Sequence, residues 1–186
     1  MKEFTSLELC AGAGGQALGL EKAGFRHLCL VEIEPLACQT LKSNRPEWEV
    51  VQGDVRKFNA KHLLDKVDLV AGGVPCPPFS VAGKQLGSMD DRDLFPEAIR
   101  IIGECNPKAI MLENVRGILD PKFKEYRDKI LRELKGLGYE CDWSLINSSD
   151  YGVSQLRPRA ILIGLKPQYY SQFSWPAKKS ELPLSV

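Results

Sequence analysis

The chain has no C-x-x-C pair, only two histidines, and no apolar run near the roughly 20 residues that span a bilayer. Its six cysteines, at positions 10, 29, 38, 76, 105 and 141, are too scattered for a structural zinc site or a disulfide framework. No metal site is therefore expected, and a reducing compartment is. Charge of one sign is also lacking: 25 Lys and Arg face 24 Asp and Glu, a net charge of +1. That excludes a polybasic tail and an acidic solvating protein, but not nucleic acid, because local patches bind phosphate even when the total is neutral. Behind Met1-Lys2-Glu3-Phe4 there is no apolar secretory stretch. Repeats and low-complexity tracts are absent. What is present, 44% hydrophobic and 26% charged residues in 186, is the composition of one soluble globular domain, expected to be cytoplasmic and not secreted.

Turn signals divide the chain into short apolar runs and amphipathic stretches. Strands are predicted at Thr5–Cys10, His27–Glu32, Trp48–Val51, Val67–Ala71, Ala109–Glu113, Tyr139–Leu145 and Arg159–Leu165. Helices are predicted at Gln16–Ala23, from Pro35 onward, at Leu94–Cys105 and at Phe123–Leu137. The alternation implies an α/β fold with a doubly wound, mostly parallel sheet and an antiparallel last strand. Ligands of such sheets sit beyond the carboxyl ends of the strands, so the chemistry is sought there.

The first strand runs into Cys10-Ala11-Gly12-Ala13-Gly14-Gly15, where glycines let the backbone turn sharply and approach a ligand. Glu32 closes the second strand about 20 residues on, the spacing at which a carboxylate takes ribose hydroxyls. Asp54 follows the third strand similarly. Alone, the glycines could form only a tight turn and the acids could cap helices; together they favour a nucleoside-bearing cofactor. Spacing does not say which, since Gly12-x-Gly14-x-x-Ala17 also suits a dinucleotide pyrophosphate.

After the fourth strand come Gly72-Gly73-Val74-Pro75-Cys76-Pro77-Pro78-Phe79-Ser80. A cysteine flanked by prolines lies neither in a helix nor in a central strand, so Cys76 is displayed on a stiff turn at the ligand edge. The other five cysteines read as small buried hydrophobes. Cys76 reads as a nucleophile, whose surroundings are expected to favour the thiolate. Glu113-Asn114-Val115 closes the fifth strand; a structural acid paired with an arginine is the competing reading of Glu113. Gln155-Leu156-Arg157-Pro158-Arg159 opens the last strand, and period-2 geometry sends Gln155, Arg157 and Arg159 to one face, a pattern that surface charge alone would explain.

Taken together, these segments resemble the catalytic half of a cytosine-C5 DNA methyltransferase. Seven blocks stand in family order: Glu8–Gly19, Glu32, Gly53-Asp54, Gly73–Ser80, Arg92–Arg100, Glu113-Asn114-Val115 and Gln155-x-Arg157-x-Arg159. The resemblance implies a Rossmann-like methyltransferase fold. It also implies transfer of a methyl group from S-adenosyl-L-methionine to C5 of a cytosine flipped out of double-stranded DNA, leaving S-adenosyl-L-homocysteine. By resemblance, Cys76 adds to C6, Glu113 contacts N3 and the exocyclic amine, and Arg159 holds O2. Arg157 and Gln155 support that turn, with Pro75 and Asn114 beside the ring.

For the cofactor, Glu32 takes the ribose, Asp54 the adenine amine, and Ile33 and Val55 the ring faces. Cys10, Ala11, Gly12, Ala13, Gly14 and Gly15 surround the methionine moiety, and Leu94 adds a wall. The stretch Phe79–Asp93, with Gly83, Lys84 and Gly87, has the composition of a loop that closes over the flipped base. The sequence departs from the family at Cys10 (often aromatic), Ile33 (often Trp) and Pro77 (often Gln).

The family normally continues past the Arg159 block into a target-recognition domain and two further blocks, whereas this sequence reaches Val186. Residues 1–186 are thus expected to be an incomplete catalytic domain, completed by a second polypeptide and carrying an exposed apolar patch suited to self-association. Restriction-modification is the expected setting, with nucleoid association in a bacterium. Other readings are methylation of a transfer RNA cytosine, an NAD-dependent oxidoreductase, which leaves Cys76 and Glu113 unexplained, and a catalytically silent partner-binding remnant.

Overall fold

The computed structural model describes residues 3–76 and 93–179. Seven strands form one sheet: β1 (Phe4–Leu9), β2 (Phe25–Glu32), β3 (Val50–Gln52), β4 (Leu69–Gly73), β5 (Ala109–Val115), β6 (Glu140–Asn147) and β7 (Pro158–Leu165), in the order β3-β2-β1-β4-β5-β7-β6. The first five pair in parallel, and β7 runs antiparallel to both β5 and β6. Strand order reverses between β1 and β4, which opens the crevice where ligands of such sheets bind.

Residue alternation along each strand sorts side chains onto two faces. Leu7 and Leu9 of β1, Val31 of β2, Val70 of β4 and Ile110 and Leu112 of β5 pack into one large cluster with α3 (Phe95–Cys105) and α4 (Lys124–Gly136). On the opposite face Leu30 and Val50 pack with Ala17 of α1 (Gly15–Lys22) and Cys38 and Leu41 of α2 (Pro35–Asn44). A fifth, four-residue helix, α5 (Pro167–Tyr170), follows β7. A helix is expected over Leu94–Cys105, and Phe95, Ala98, Ile101, Ile102 and Cys105 are buried along one side of α3 at i, i+3, i+4 spacing. Pro35 occupies the first turn of α2, as expected.

Two strand boundaries differ from expectation for identifiable reasons. β4 extends through Gly72 and Gly73, which read as turn residues. Gly72 pairs with Leu9 and Leu112, and a Cβ there would come within 2.6 Å of the Leu9 carbonyl oxygen, so glycine permits a close strand approach instead of ending the strand. At the other end, β7 begins at Pro158, and residues 155–157 belong to the turn before it. The alternation proposed for Gln155, Arg157 and Arg159 therefore does not exist, because period-2 geometry needs extended, paired backbone. Among the described residues no helix is long and apolar enough to cross a membrane.

Candidate active site

The end of β1 departs from extended geometry at once. Cys10 adopts a left-handed φ of 54°, Gly12 follows at 55° and Gly14 at 91°, capping α1. A Cβ on Gly14 would lie 2.6 Å from Leu41 Cδ2, so the loop can lie against α2 only with glycine there. Glu32, at the end of β2 and 8% exposed, ties this loop down. Its Oε2 accepts from the Gly12 N–H at 2.6 Å, and its Oε1 accepts from the N–H groups of Ile33 and Glu34, both at 2.8 Å. Oε2 thus keeps capacity for a further donor, as a ribose hydroxyl would supply.

Beside Glu32 opens a cavity of about 240 Å³ lined by Cys10, Val31, Glu32, Ile33, Gly53, Asp54, Val55, Arg56, Pro75 and Leu94. It gathers six of the residues assigned to the cofactor from sequence: Cys10, Glu32, Ile33, Asp54, Val55 and Leu94. Ile33 is 60% exposed and Val55 only 6%, so one apolar wall is available at the surface and the other is fixed in the core. Ala11, Gly12, Ala13, Gly14 and Gly15 do not line it; their link is the Gly12–Glu32 hydrogen bond. Arg56 and Gly53 line the cavity without having been singled out individually.

Asp54 caps the short 3-10 turn Val55–Lys57 through the Arg56 N–H at 2.9 Å, and the Arg56 guanidinium lies 2.8 Å from its Oδ2. Both bonds hold the Asp54 carboxyl below the usual carboxylate range. An adenine amine would therefore share Asp54 with Arg56. Burial, helped by the Glu32 and Asp54 charges, pushes the Cys10 thiol up to about 12, which makes it inert.

The Pro75–Cys76 turn stands at the cavity's far wall. Asn114, 4% exposed on β5, organises it: its Nδ2 donates to the Val74 carbonyl at 2.8 Å, and its Oδ1 accepts from the Cys76 thiol at 2.8 Å and from the Val115 N–H at 2.8 Å. The Leu94 N–H donates to the Pro75 carbonyl at 3.0 Å, fixing the other side. Cys76 is partly buried, neither sealed nor fully exposed. Its surroundings do not favour the thiolate, contrary to expectation. Burial pushes the thiol up to about 11, against the lowering effect of the Asn114 bond, and the carboxylates of Asp93 and Glu113 add to the rise.

Glu113 pairs in register with Gly73, and its Oε1 meets Arg159 Nε at 2.6 Å; the two side chains are 29% and 24% exposed. The competing reading of an arginine-paired acid is thus realised, at a place where both groups stay accessible. Arg159 also donates to the Pro158 carbonyl at 2.9 Å. Arg157 is exposed in the turn, where its backbone N–H donates to Asn147 Oδ1 at 3.0 Å, and Gln155 is exposed beside it. The structure brings Cys76, Asn114, Pro75, Glu113 and Arg159 to one edge and leaves Arg157 and Gln155 outside that cluster. Pro77, Lys84 and the expected closing loop, apart from Asp93, lie outside the described residues.

The model of C-5 cytosine-specific DNA methylases matches residues 4–185. The chain is 62% identical over 184 residues to Type II methyltransferase M.NgoMIV of Neisseria gonorrhoeae, covering 99% of this chain and 59% of that protein. It is 47% identical over 185 residues to Type II methyltransferase M.NaeI of Lentzea aerocolonigenes, covering 98% and 45%. A solved putative DNA modification methyltransferase encoded within an Escherichia coli prophage superposes with a TM-score of 0.80 at 29% identity, covering 98% of this chain and 53% of that one. The chain thus spans about half the length of the relatives it matches. On the match along nearly its whole length, it belongs to the C-5 cytosine-specific DNA methylase family.

Proposed function

We propose that the chain carries the catalytic machinery of a DNA (cytosine-5-)-methyltransferase, acting through a covalent bond between Cys76 and the target base. The observation that carries this reading is the shared edge. The Cys76 turn, the accessible Glu113–Arg159 pair and a cavity walled by Glu32, Ile33, Val55 and Leu94 meet where β1, β4 and β5 end. Bound S-adenosyl-L-methionine supplies the methyl group. At about 240 Å³ the cavity falls below the ~300 Å³ typical of whole-ligand sites. It suits the nucleoside part, with Glu32 Oε2 taking a ribose hydroxyl and Ile33 and Val55 the ring faces, while the methionine part runs along Ala11–Gly15.

Carbon 5 of cytosine is a weak nucleophile until sulfur adds at C6 and makes the ring enamine-like. With the thiol raised to about 11, only on the order of one Cys76 in a thousand is ionised at pH 8, so the resting site is not pre-activated. Activation must accompany base entry. Arg159 turns from Glu113 to the base's O2, the proton that the thiol loses ends on N3 of the base, and Glu113, freed from its cation, accepts from that N3–H and from the exocyclic amine. Negative charge that leaves the sulfur is then received by the ring. Loss of the C5 proton after methylation expels the thiol and restores aromaticity. None of these ring atoms is reachable in a duplex, so the cytosine is flipped out.

Sequence-specific recognition, in this reading, rests on the part of the relatives that lies beyond the matched half. The exposed Val115, Leu145, Val153 and Leu156, around the carboxyl end of β5 and the β6–β7 turn, suit a docking partner or self-association. A cytoplasmic, nucleoid-associated restriction-modification role is the setting proposed.

Trapping tests the core of the proposal. DNA carrying 5-fluorocytosine cannot release the enzyme, so wild type supplied with a recognition segment leaves a covalent adduct and Cys76→Ser leaves none. An adduct that survives the substitution moves the nucleophile elsewhere. Equal trapping on transfer RNA would redirect the substrate.

A further inference from the structure

Asp93 and Tyr126 belong to neither the cofactor wall nor the base-binding edge, yet Asp93 adjoins Leu94, whose N–H holds the Cys76 turn, and Tyr126 holds Asp93. Asp93 precedes α3 and caps it, its Oδ1 accepting from the Phe95 N–H at 3.1 Å. The same oxygen accepts from the Tyr126 hydroxyl of α4 at 2.6 Å, across 33 residues of sequence. Tyr126 packs edge-on to the Phe95 ring at 6.1 Å, and Phe95 is 1% exposed in the main core. Between Asp93 and Phe95, Leu94 both holds the Pro75 carbonyl and lines the cofactor cavity. One residue therefore couples the nucleophile's turn to the cofactor wall, and Asp93 and Tyr126 fix that residue from its two sides.

We propose that Asp93 and Tyr126 form a positioning pair for this active site: Tyr126 orients the Asp93 carboxylate, which locks the start of α3 against the Pro75–Cys76 turn and sets a negative charge beside the thiol. The proposal rests on Cys76 being the nucleophile. Among the described residues, the side chains that act on the thiol are Asp93 ahead of α3 and Asn114 and Glu113 on β5, with Arg159 of β7 answering Glu113 and Tyr126 of α4 reaching the thiol through Asp93. The Asp93 charge weighs on the thiol more than the Glu113 charge does; Glu113 is paired with Arg159, and Asp93 has a neutral phenol as partner. The charge restrains the thiol at rest, so that the sulfur becomes reactive only when a base has entered.

The test reads Cys76 alkylation by iodoacetamide against pH in the full chain, followed by peptide mass spectrometry so that the other five cysteines do not interfere. Asp93→Asn keeps both hydrogen bonds and removes the charge. The alkylation midpoint should fall by about half a pH unit or more, which makes modification at pH 8 about three-fold faster. Asp93→Ala and Tyr126→Phe lose the lock, and their affinity for S-adenosyl-L-homocysteine should drop several-fold through Leu94, while Asp93→Asn restores it toward wild type. An unchanged midpoint in Asp93→Asn, or three variants that merely melt earlier, overturns the positioning role. Cys76→Ser still giving a fluorocytosine adduct would instead overturn the nucleophile assignment, so the two failures are distinct.

Discussion

Glu8 on β1 is 0% exposed, and neither of its oxygens has a hydrogen-bond partner. His27 on β2 is close by, its Nδ1 3.7 Å from Glu8 Oε1. That imidazole is already committed. Its Nε2 faces the Ala17 carbonyl at 3.1 Å, which can only accept, so the ring proton sits on Nε2; Nδ1 then accepts from the Ser6 hydroxyl at 2.7 Å. No proton is left for Glu8, and burial pushes its carboxyl from 4.5 up to about 8, while burial also pulls His27 down.

A carboxyl raised on folding stabilises the fold fully below its unfolded value, and that contribution disappears as pH rises through the folded value. Wild type should therefore lose stability across pH 4.5 to 8 by up to 1.36 kcal/mol per pH unit, and the loss between pH 5 and pH 8 amounts to about 3 kcal/mol. Glu8→Gln removes the titration and leaves His27 in place, so the His27 contribution cancels in the comparison. Urea unfolding of both proteins at pH 5, 6, 7 and 8 should show the variant gaining on wild type by about 3 kcal/mol over that span. A difference that stays flat would refute the reasoning and mean that Glu8 is ionised and paired with a protonated His27.

Asn114→Ala removes the donor on the Val74 carbonyl and the acceptor for the Cys76 thiol; unfolding should show a cost of about 1–3 kcal/mol, and alkylation of Cys76 should need a higher pH. Glu32→Gln turns an amide N–H toward one of the backbone donors that now meet a carboxylate, so calorimetry should find cofactor-analogue affinity reduced by about ten-fold or more, with a lower melting temperature.

The sheet and the position of the site were legible because both follow from local pattern. Turn residues bound apolar runs, and a parallel sheet brings the ends of β1, β2, β4 and β5 to one edge whatever the details of packing. Glu32, Cys76 and Glu113 announce themselves by lying at those ends. Glu8 did not, although Ser6 and Glu8 alternate with Leu7 and Leu9; read as one apolar strand, β1 hid a period-2 pattern whose polar side turns out to be covered by α1. The alternation expected of the arginine block failed for a similar reason, although Arg159 itself reaches the site. Alternation in sequence has meaning only on extended, paired backbone, and the ladder starts at Pro158.

The state of the nucleophile was not legible, because it depends on groups far apart in sequence. Asn114 reaches Cys76 from 38 residues away and Tyr126 reaches Asp93 from 33, and neither spacing has a periodicity to detect. Proline flanks say that a cysteine is displayed; they say nothing of its protonation. Burial and two nearby carboxylates keep this thiol protonated against the lowering effect of the Asn114 bond, and the arginine that could offset one of those carboxylates is paired with it. On the proposed function, a site built this way gains its reactivity from the incoming base, which draws Arg159 away and gives Glu113 a new partner. Reactivity toward small electrophiles is thereby kept low in the absence of substrate, which suits a thiol displayed on a turn at the open edge of a sheet.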